Sequence, residues 1–209
     1  MNEEKKIPAF KLWLEYNPYD EPAPDLSDWD MENEFCNIGV DLLDGRYYGI
    51  NVWTYKYFET VIEQDRVSTE NLSGAYVDPP DLFVKDLTKD CIEAAIGDLL
   101  SKGDLEWLLN PSVFSIRFKP PWTDVNDLED RGDAIEKELG LQVTAGHVLY
   151  GRNPLLLAVR NDTEELALQL NDKSIALLKQ GEVVEIFRSK EDFWKLRLKN
   201  DISSGEKIL

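Results

Sequence analysis

Along Cys36–Leu42 apolar and polar positions alternate, with Cys36, Ile38, Val40 and Leu42 on one face and Asn37, Gly39 and Asp41 on the other. That is the two-residue period of a half-buried strand. The alternation resumes after Asp44-Gly45, where Tyr48, Ile50 and Val52 oppose Tyr47, Gly49, Asn51 and Trp53. Asp-Gly between two such runs predicts a β-hairpin. A two-residue loop would pair Leu42 with Tyr47 and put Val40 and Ile50 on opposite faces. A three-residue loop, Leu43-Asp44-Gly45, pairs Val40 with Tyr48 and Ile38 with Ile50 and gathers the aliphatic set on one face. The second is favoured, with a type I turn and Gly45 in the left-handed region. A sheet covered on both faces would accept either register.

Upstream, after a short polar tail, Phe10, Leu12, Leu14 and Tyr16 alternate with Lys11, Trp13 and Glu15 as a first strand. Asn17–Asn33 reads as a loop, because Pro18, Pro22 and Pro24 exclude helix and sheet interior alike. Downstream, a helix is predicted over about Tyr55–Val67, with Phe58, Val61 and Ile62 on its buried side and Glu59, Glu63 and Asp65 opposite. Gly74–Pro80 is rich in turn residues, and Leu82 and Val84 form a short strand. Thr88 then caps a helix whose stripe is Cys91, Ile92, Ala95, Ile96, Leu99 and Leu100, with Gly103 as its stop. Leu105–Leu109 adds a turn before Asn110-Pro111.

In the second half, Phe114, Ile116 and Phe118 alternate as a strand. A helix over about Asp124–Leu139 buries Val125, Leu128, Ile135 and Leu139 and is capped by Gly140. Short strands follow at His147–Tyr150, Leu155–Arg160, Leu166–Leu170, Ile175–Leu178 and Val183–Phe187. Asn161-Asp162, Asn171-Asp172 and Gln180-Gly181 are their turns, so the pattern is an antiparallel meander. Ser189 caps a last helix carrying Phe193, Trp194 and Leu196, and an unstructured tail starts at Ser203. The fold class is α+β: two small lobes, each an antiparallel sheet packed against one or two helices. The expected division is an acidic lobe over 1–110 and a second lobe over 111–209, with Pro120-Pro121 as the alternative boundary.

Charge changes this picture. The chain carries 23 Lys and Arg against 41 Asp and Glu, a formal net charge of −18. Through Asn110 the balance is 24 acids to 9 bases, or −15; from Pro111 it is 17 to 14, or −3. Acidity therefore belongs to the first lobe. Nucleic acid and anionic membrane surfaces are poor partners, since both need clustered Lys and Arg. A basic protein is the natural one. Eight Tyr, eight Phe and six Trp set the chain apart from disordered sequences. With two cysteines, no signal-peptide pattern and no apolar run of membrane length, the expected compartment is the cytoplasm.

From Leu12 to Gly45 there are ten acids and not one Lys or Arg. Within that run Tyr19, Asp20, Glu21, Asp25, Asp28, Trp29, Asp30 and Glu32 form the candidate partner-binding surface, the acids steering a basic partner and the aromatics anchoring it. The plainer alternative is a solvated loop with its aromatics tucked onto the sheet. Most of the six tryptophans are expected in the core or between the lobes, and Trp29 and Trp122, in Pro- or Asp-rich loops, are the two to test for exposure. His147 is the single histidine and is expected to be structural, so no multi-histidine metal site or Ser-His-Asp alternative can be built around a second one. No glycine-rich phosphate loop, nucleophile elbow or calcium loop is present. No catalytic residue, cofactor or metal is therefore assigned, and binding is favoured over catalysis. A carboxylate-pair hydrolase, whose acids meet only in the fold, stays open.

The GINVWT strand running into a helix, the compact α+β lobes, the acidity and the missing catalytic motif together make the chain resemble the small acidic immunity proteins of bacterial toxin systems. GHVLYG, followed by apolar strands, is similar to bacterial domains found near such genes. The resemblance implies a protein that neutralises a cognate basic toxin, possible nuclease toxins among them, by covering its surface or cleft. The alternative is a bacterial scaffold or regulatory domain that binds through a hydrophobic groove between the lobes. Oligomeric state is not encoded in any of these features.

Overall fold

The structure is a computed structural model and describes residues 7–16 and 29–205. Among them the α+β class is borne out, in two sheets packed with helices. The chain forms two compact units that divide between Ser115 and Ile116, and the hairpin turn Asp44–Arg46 belongs to the second.

In the first unit β1 (Phe10–Leu14), β2 (Phe35–Leu42) and β3 (Arg46–Thr54) are antiparallel neighbours. Val40 lies opposite Tyr48 and Ile38 opposite Ile50, with Leu43-Asp44-Gly45 as the turn and Gly45 at φ +88°. This is the register that buries Cys36, Ile38, Val40, Leu42, Tyr48, Ile50 and Val52 together. β4 (Leu82–Val84) pairs with β3 in parallel, so the sheet is mixed rather than wholly antiparallel. A parallel partner needs a crossover, supplied by α1 (Tyr55–Ser68) and the short α2 (Asn71–Gly74). α3 (Lys89–Lys102) buries Ile92, Ile96 and Leu100, and the Thr88 hydroxyl caps it by accepting from the Cys91 N–H at 3.4 Å. α4 (Leu105–Leu108) brings Glu106 to the core, where the Tyr48 hydroxyl donates to its Oε2 at 2.8 Å. β5 (Phe114–Ile116) also pairs with β3.

α1 departs from expectation. Its apolar side is only half-buried, Val67 is exposed, and its one buried residue is Asp65, whose Oδ2 accepts from Asn71 Nδ2 at 2.8 Å. The helix touches the sheet through aromatic rings near its start, and α2 packs against its far end, where Gly74 lies beside Ile62. Beyond it Thr69, Asn71, Leu72 and Ser73 all have positive φ, an unfavourable left-handed run for L-residues.

The second unit is a five-stranded antiparallel sheet in the order β10-β9-β8-β7-β6: β6 (Trp122–Asp124), β7 (Leu155–Arg160), β8 (Glu165–Gln169), β9 (Ile175–Lys179) and β10 (Glu182–Phe187). α5 (Asp130–Gln142) packs Leu139 into a core with Leu128, Leu149, Leu156, Leu168 and Leu178. The C-terminal helix runs as α6 (Lys190–Phe193), a π-helical stretch Trp194–Leu198, and α7 (Lys199–Gly205). It packs Phe193 edge-to-face with Trp122 and Phe187, with ring centroids 5.9 and 5.2 Å apart. Arg160 and Arg197 bind Asp201, both at 3.0 Å, and the Trp122 indole N–H donates to the same carboxylate at 3.0 Å. Arg197 also pairs with the buried Glu165 at 2.6 Å. Glu165 is buried and Arg160, Arg197 and Asp201 are half-buried, and a bonded network is the condition under which such burial is tolerated.

Several expectations fail here for local reasons. His147–Tyr150 is a series of turns, not a strand, because Gly146 and Gly151 take φ of +106° and +77°. The fifth strand is instead β6, so Trp122 is buried, not exposed. The predicted helix from Asp124 breaks at Glu129 (φ +48°) into a 3-10 turn and α5, and Gly140 lies inside the helix rather than capping it. Leu196 is exposed, since the π-helical step carries the buried stripe from Phe193 and Trp194 to Leu198 and Ile202. The helix continues to Gly205, past the expected start of the tail, and residues 206–209 lie outside the described residues.

Two stability tests follow from this geometry. A Cβ on Gly45 would meet Arg117 O at 3.3 Å and Ile202 Cδ1 at 2.7 Å while holding a left-handed φ. Gly45→Ala should lower the urea-unfolding free energy by about 1–2 kcal/mol; an unchanged midpoint would contradict the turn geometry. Asp172 accepts from Ser174 N and Oγ at 3.1 and 2.5 Å and from Arg152 at 2.6 Å, and these bonds, the Ser174 hydroxyl first, pull its carboxyl down to about 2. A depressed carboxyl stabilises above its unfolded value, near 3.9, and loses that contribution as pH falls toward 2. Asp172→Asn should therefore melt lower than the parent at pH 6, with the gap closing between pH 4 and 2.

Candidate functional site

Of the residues proposed from sequence, Tyr19, Asp20, Glu21, Asp25 and Asp28 lie outside the described residues. Trp29, Asp30 and Glu32 lie within them, on a segment held in place at both ends. The half-buried Trp29 ring packs on Tyr16 at 5.4 Å, and the Tyr16 hydroxyl donates to Leu87 O. Leu87 N–H in turn donates to Met31 O at 2.8 Å. Asp30 pairs with Lys56 in the first turn of α1 at 3.2 Å and accepts from the Glu32 N–H at 3.1 Å. The Lys56 hydrogen bond, more than the Glu32 one, holds its carboxyl below the usual range. Thr60 Oγ1 donates to Asn33 Oδ1 at 2.8 Å, and Thr54 N–H to Glu34 O at 3.2 Å. Asp30, Glu32 and Glu34 thus gather around the start of α1.

The acids of the Leu12–Gly45 run do not all share one face. Asp41 sits at the far end of β2, roughly 20 Å from Glu34 at strand rise. Asp44 belongs to the second unit, where it pairs with Arg46 at 3.0 Å.

The strand register builds a second feature that the sequence reading did not assign. On the sheet face away from the core, cross-strand rows are fixed by pairing: Phe35–Trp53–Phe83, then Asn37–Asn51, then Trp13–Gly39–Gly49. Tyr57 of α1 packs on both Phe35 and Trp53, with centroids 5.3 and 5.2 Å away, and Phe58 packs on Phe83 at 5.4 Å. In the middle row Asn51 Nδ2 donates to Asn37 Oδ1 at 3.1 Å, and Asn37 Nδ2 donates to Glu15 Oε2 at 3.0 Å. At its other end Asn51 N–H donates to Asp81 Oδ2 at 2.7 Å. The row is a polar chain with a carboxylate at each end. Among the described residues Glu15, Glu34 and Asp81 form no ion pair.

Two glycines floor the third row for different reasons. The Tyr47 hydroxyl occupies the place where a Cβ on Gly39 would stand, whereas nothing lies within 4 Å of the Cβ position of Gly49. The sequence held the signal for this face: its outward strand positions carry Trp13, Phe35, Asn37, Gly49, Asn51 and Trp53 where a solvated strand would carry charge.

Titrating groups beneath the face, Cys36 and Tyr16, and on it, Tyr57, are held in their neutral forms. Burial pushes the Cys36 thiol up to about 12, with the Glu15 charge adding to it. Burial likewise raises Tyr16 to about 12, and burial followed by Glu34 raises Tyr57. A thiol so placed is not prepared as a nucleophile. The face offers π surfaces and hydrogen-bond acceptors, which suit binding a donor-rich, cationic group.

In the second unit His147 accepts from Leu149 N–H at Nδ1 (3.1 Å), which leaves the proton on Nε2 to bond Gly181 O at 3.1 Å. Both ring nitrogens hold loops together. A cavity of about 280 Å³ lies beside α5, lined by Ile135, Leu166 and Leu178 with Arg131, Glu138 and Glu164 around them. A groove of about 590 Å³ runs past Val143, Tyr150, Pro154 and Leu155. Among the described residues no group of three or more His, Cys, Asp or Glu is placed to hold a metal ion. Nor is any helix among them long and apolar enough to cross a membrane.

Thiol labelling tests the burial beneath the face. In native protein a disulfide reagent should titrate the partly exposed Cys91, while the buried Cys36 reacts only after denaturant is added. Rapid reaction of both thiols would show that β2 opens. Comparison of the chain with protein-family models, with curated proteins and with solved structures finds no match.

Proposed function

We propose that this chain is a non-enzymatic protein-binding module of the immunity type. In this reading it docks a basic partner on its first unit and neutralises a toxin domain, a nuclease for instance, by covering its cleft. The observation that carries it is an aromatic sheet face bordered by carboxylates that lack a cation among the described residues. Aromatic rings and a polar rim are the composition of interface hot spots. The acidity of the first 110 residues, −15 against −3 for the rest, supplies long-range attraction to a cationic surface. A nuclease cleft evolved to hold phosphate offers the complementary charge.

Association in this mechanism is electrostatic and retention is aromatic. Carboxylates govern the on-rate, while buried rings govern the off-rate. Glu32 and Glu34 matter more here than Asp30, because Lys56 already neutralises Asp30.

The alternative of a scaffold domain, with its groove placed within the second unit rather than between the lobes, is supported by a separate feature, the groove past Val143, Tyr150, Pro154 and Leu155, where Tyr150 and Leu155 are exposed. It calls for binding that salt does not weaken.

The test starts from co-purification of the tagged chain with the product of the adjoining gene, followed by binding kinetics at two salt concentrations. A cationic partner should associate at least about tenfold more slowly at 300 mM than at 50 mM salt. Glu32→Lys with Glu34→Lys should slow association about tenfold and flatten that salt dependence. Binding that ignores both salt and charge reversal would move the interface to the second unit.

A further inference from the structure

We infer that the open floor at Gly49 seats an arginine side chain presented by the basic partner; this rests on the protein-binding function proposed above and names the contact that gives it specificity. The starting point is a glycine with no local reason to be one. Gly49 lies inside β3, in a stretch of the β2–β3 ladder that has no bulge, and its φ is not in the left-handed region. Glycine weakens a strand interior, and besides bulges and bends it often marks a site where a ligand or another backbone approaches closely. Gly39 is accounted for by the Tyr47 hydroxyl, and Gly45 by its positive φ. Gly49 alone of the three faces empty space.

The walls of that space select the occupant. Asn51 stands two residues along the strand on the same face; its amide donates to Asn37, and its Oδ1 accepts no hydrogen bond among the described residues. Tyr47 stands two residues the other way and leans over Gly39, presenting a ring beside the floor. Glu15 and Asp81 close the two ends of the asparagine row with negative charge. A planar guanidinium with five donors can stack on a ring and donate to an amide oxygen and a carboxylate at once. An ammonium group meets the charge but not the plane. Charge complementarity and the shape of the donor fork thus both point to arginine.

The probe is the peptide acetyl-Gly-Arg-Gly-amide, titrated into isotope-labelled full-length protein and followed by NMR, with the lysine and citrulline peptides alongside. Saturable shifts are expected at the Gly49 amide and at the Asn37 and Asn51 side-chain amides. Binding should be about fivefold weaker for lysine and absent for citrulline, which has the shape without the charge. A Cβ at Gly49 meets no atom within 4 Å, so Gly49→Leu extends into open space and should abolish the shifts with the melting temperature preserved. Gly49→Thr, which favours the strand, should weaken binding in the same direction. Absence of shifts at these residues, equal binding of citrulline, or full binding by Gly49→Leu would overturn the inference. If the cationic partner still responds to Glu32→Lys and Glu34→Lys but binds Gly49→Leu as it binds the parent, the arginine seat falls and the protein-binding function stands.

Discussion

One registration decides the first unit: Val40 against Tyr48 across a turn that closes on Gly45. Side chains on a strand alternate strictly, so a slip of one residue would exchange the two faces of β3 relative to β2. With the observed pairing, seven residues of the hairpin go to the core together and the remaining positions stack into rows. The asparagine row, the aromatic row and the glycine row all exist because that one offset is fixed. Burial of the aliphatic face sets it, since the alternative would split that set between core and water. The proposed site is thus a by-product of core packing: the positions not needed inside are free to carry recognition.

Local pattern made much of this legible. The hairpin register, the Thr88 cap, the four strands from Leu155 to Phe187 and the Ser189 cap were all readable, because each depends on residues close in sequence. What the chain hides is non-local. β4 finds β3 in parallel only after the α1 crossover, and β6 finds β7 across some thirty residues, so neither pairing leaves a periodic trace. His147–Tyr150 misleads because its alternation resembles a strand while the flanking glycines, both at positive φ, fold it into turns. Leu196 misleads for a different reason, since a π-helical step shifts the buried stripe by one position, which a 3.6-residue period does not anticipate.

The candidate surface was legible only in part. Charge counting located acidity in the first 110 residues, but the outward face of the hairpin carries its chemistry in uncharged residues, which a charge count passes over. The described acids also separate along β2, with Glu34 near its start and Asp41 near its end. What unites Glu15, Asn37, Asn51 and Asp81 is the ladder, a relation between strands and not between neighbours in the chain.

Finally, the hairpin turn has a bearing on how this protein can be divided. The second unit takes in Asp44–Arg46, where the Trp194 indole donates to Asp44 O at 2.8 Å and the Arg46 guanidinium lies 4.9 Å from the Trp194 ring centre. A gene segment encoding only the residues after Ser115 would leave Trp194 without its acceptor and without Arg46, keeping Lys199, 5.2 Å from its ring centre, as the cation beside it. The second fold is therefore discontinuous in the gene, and a cut at Ser115 separates the turn from the helix that holds it.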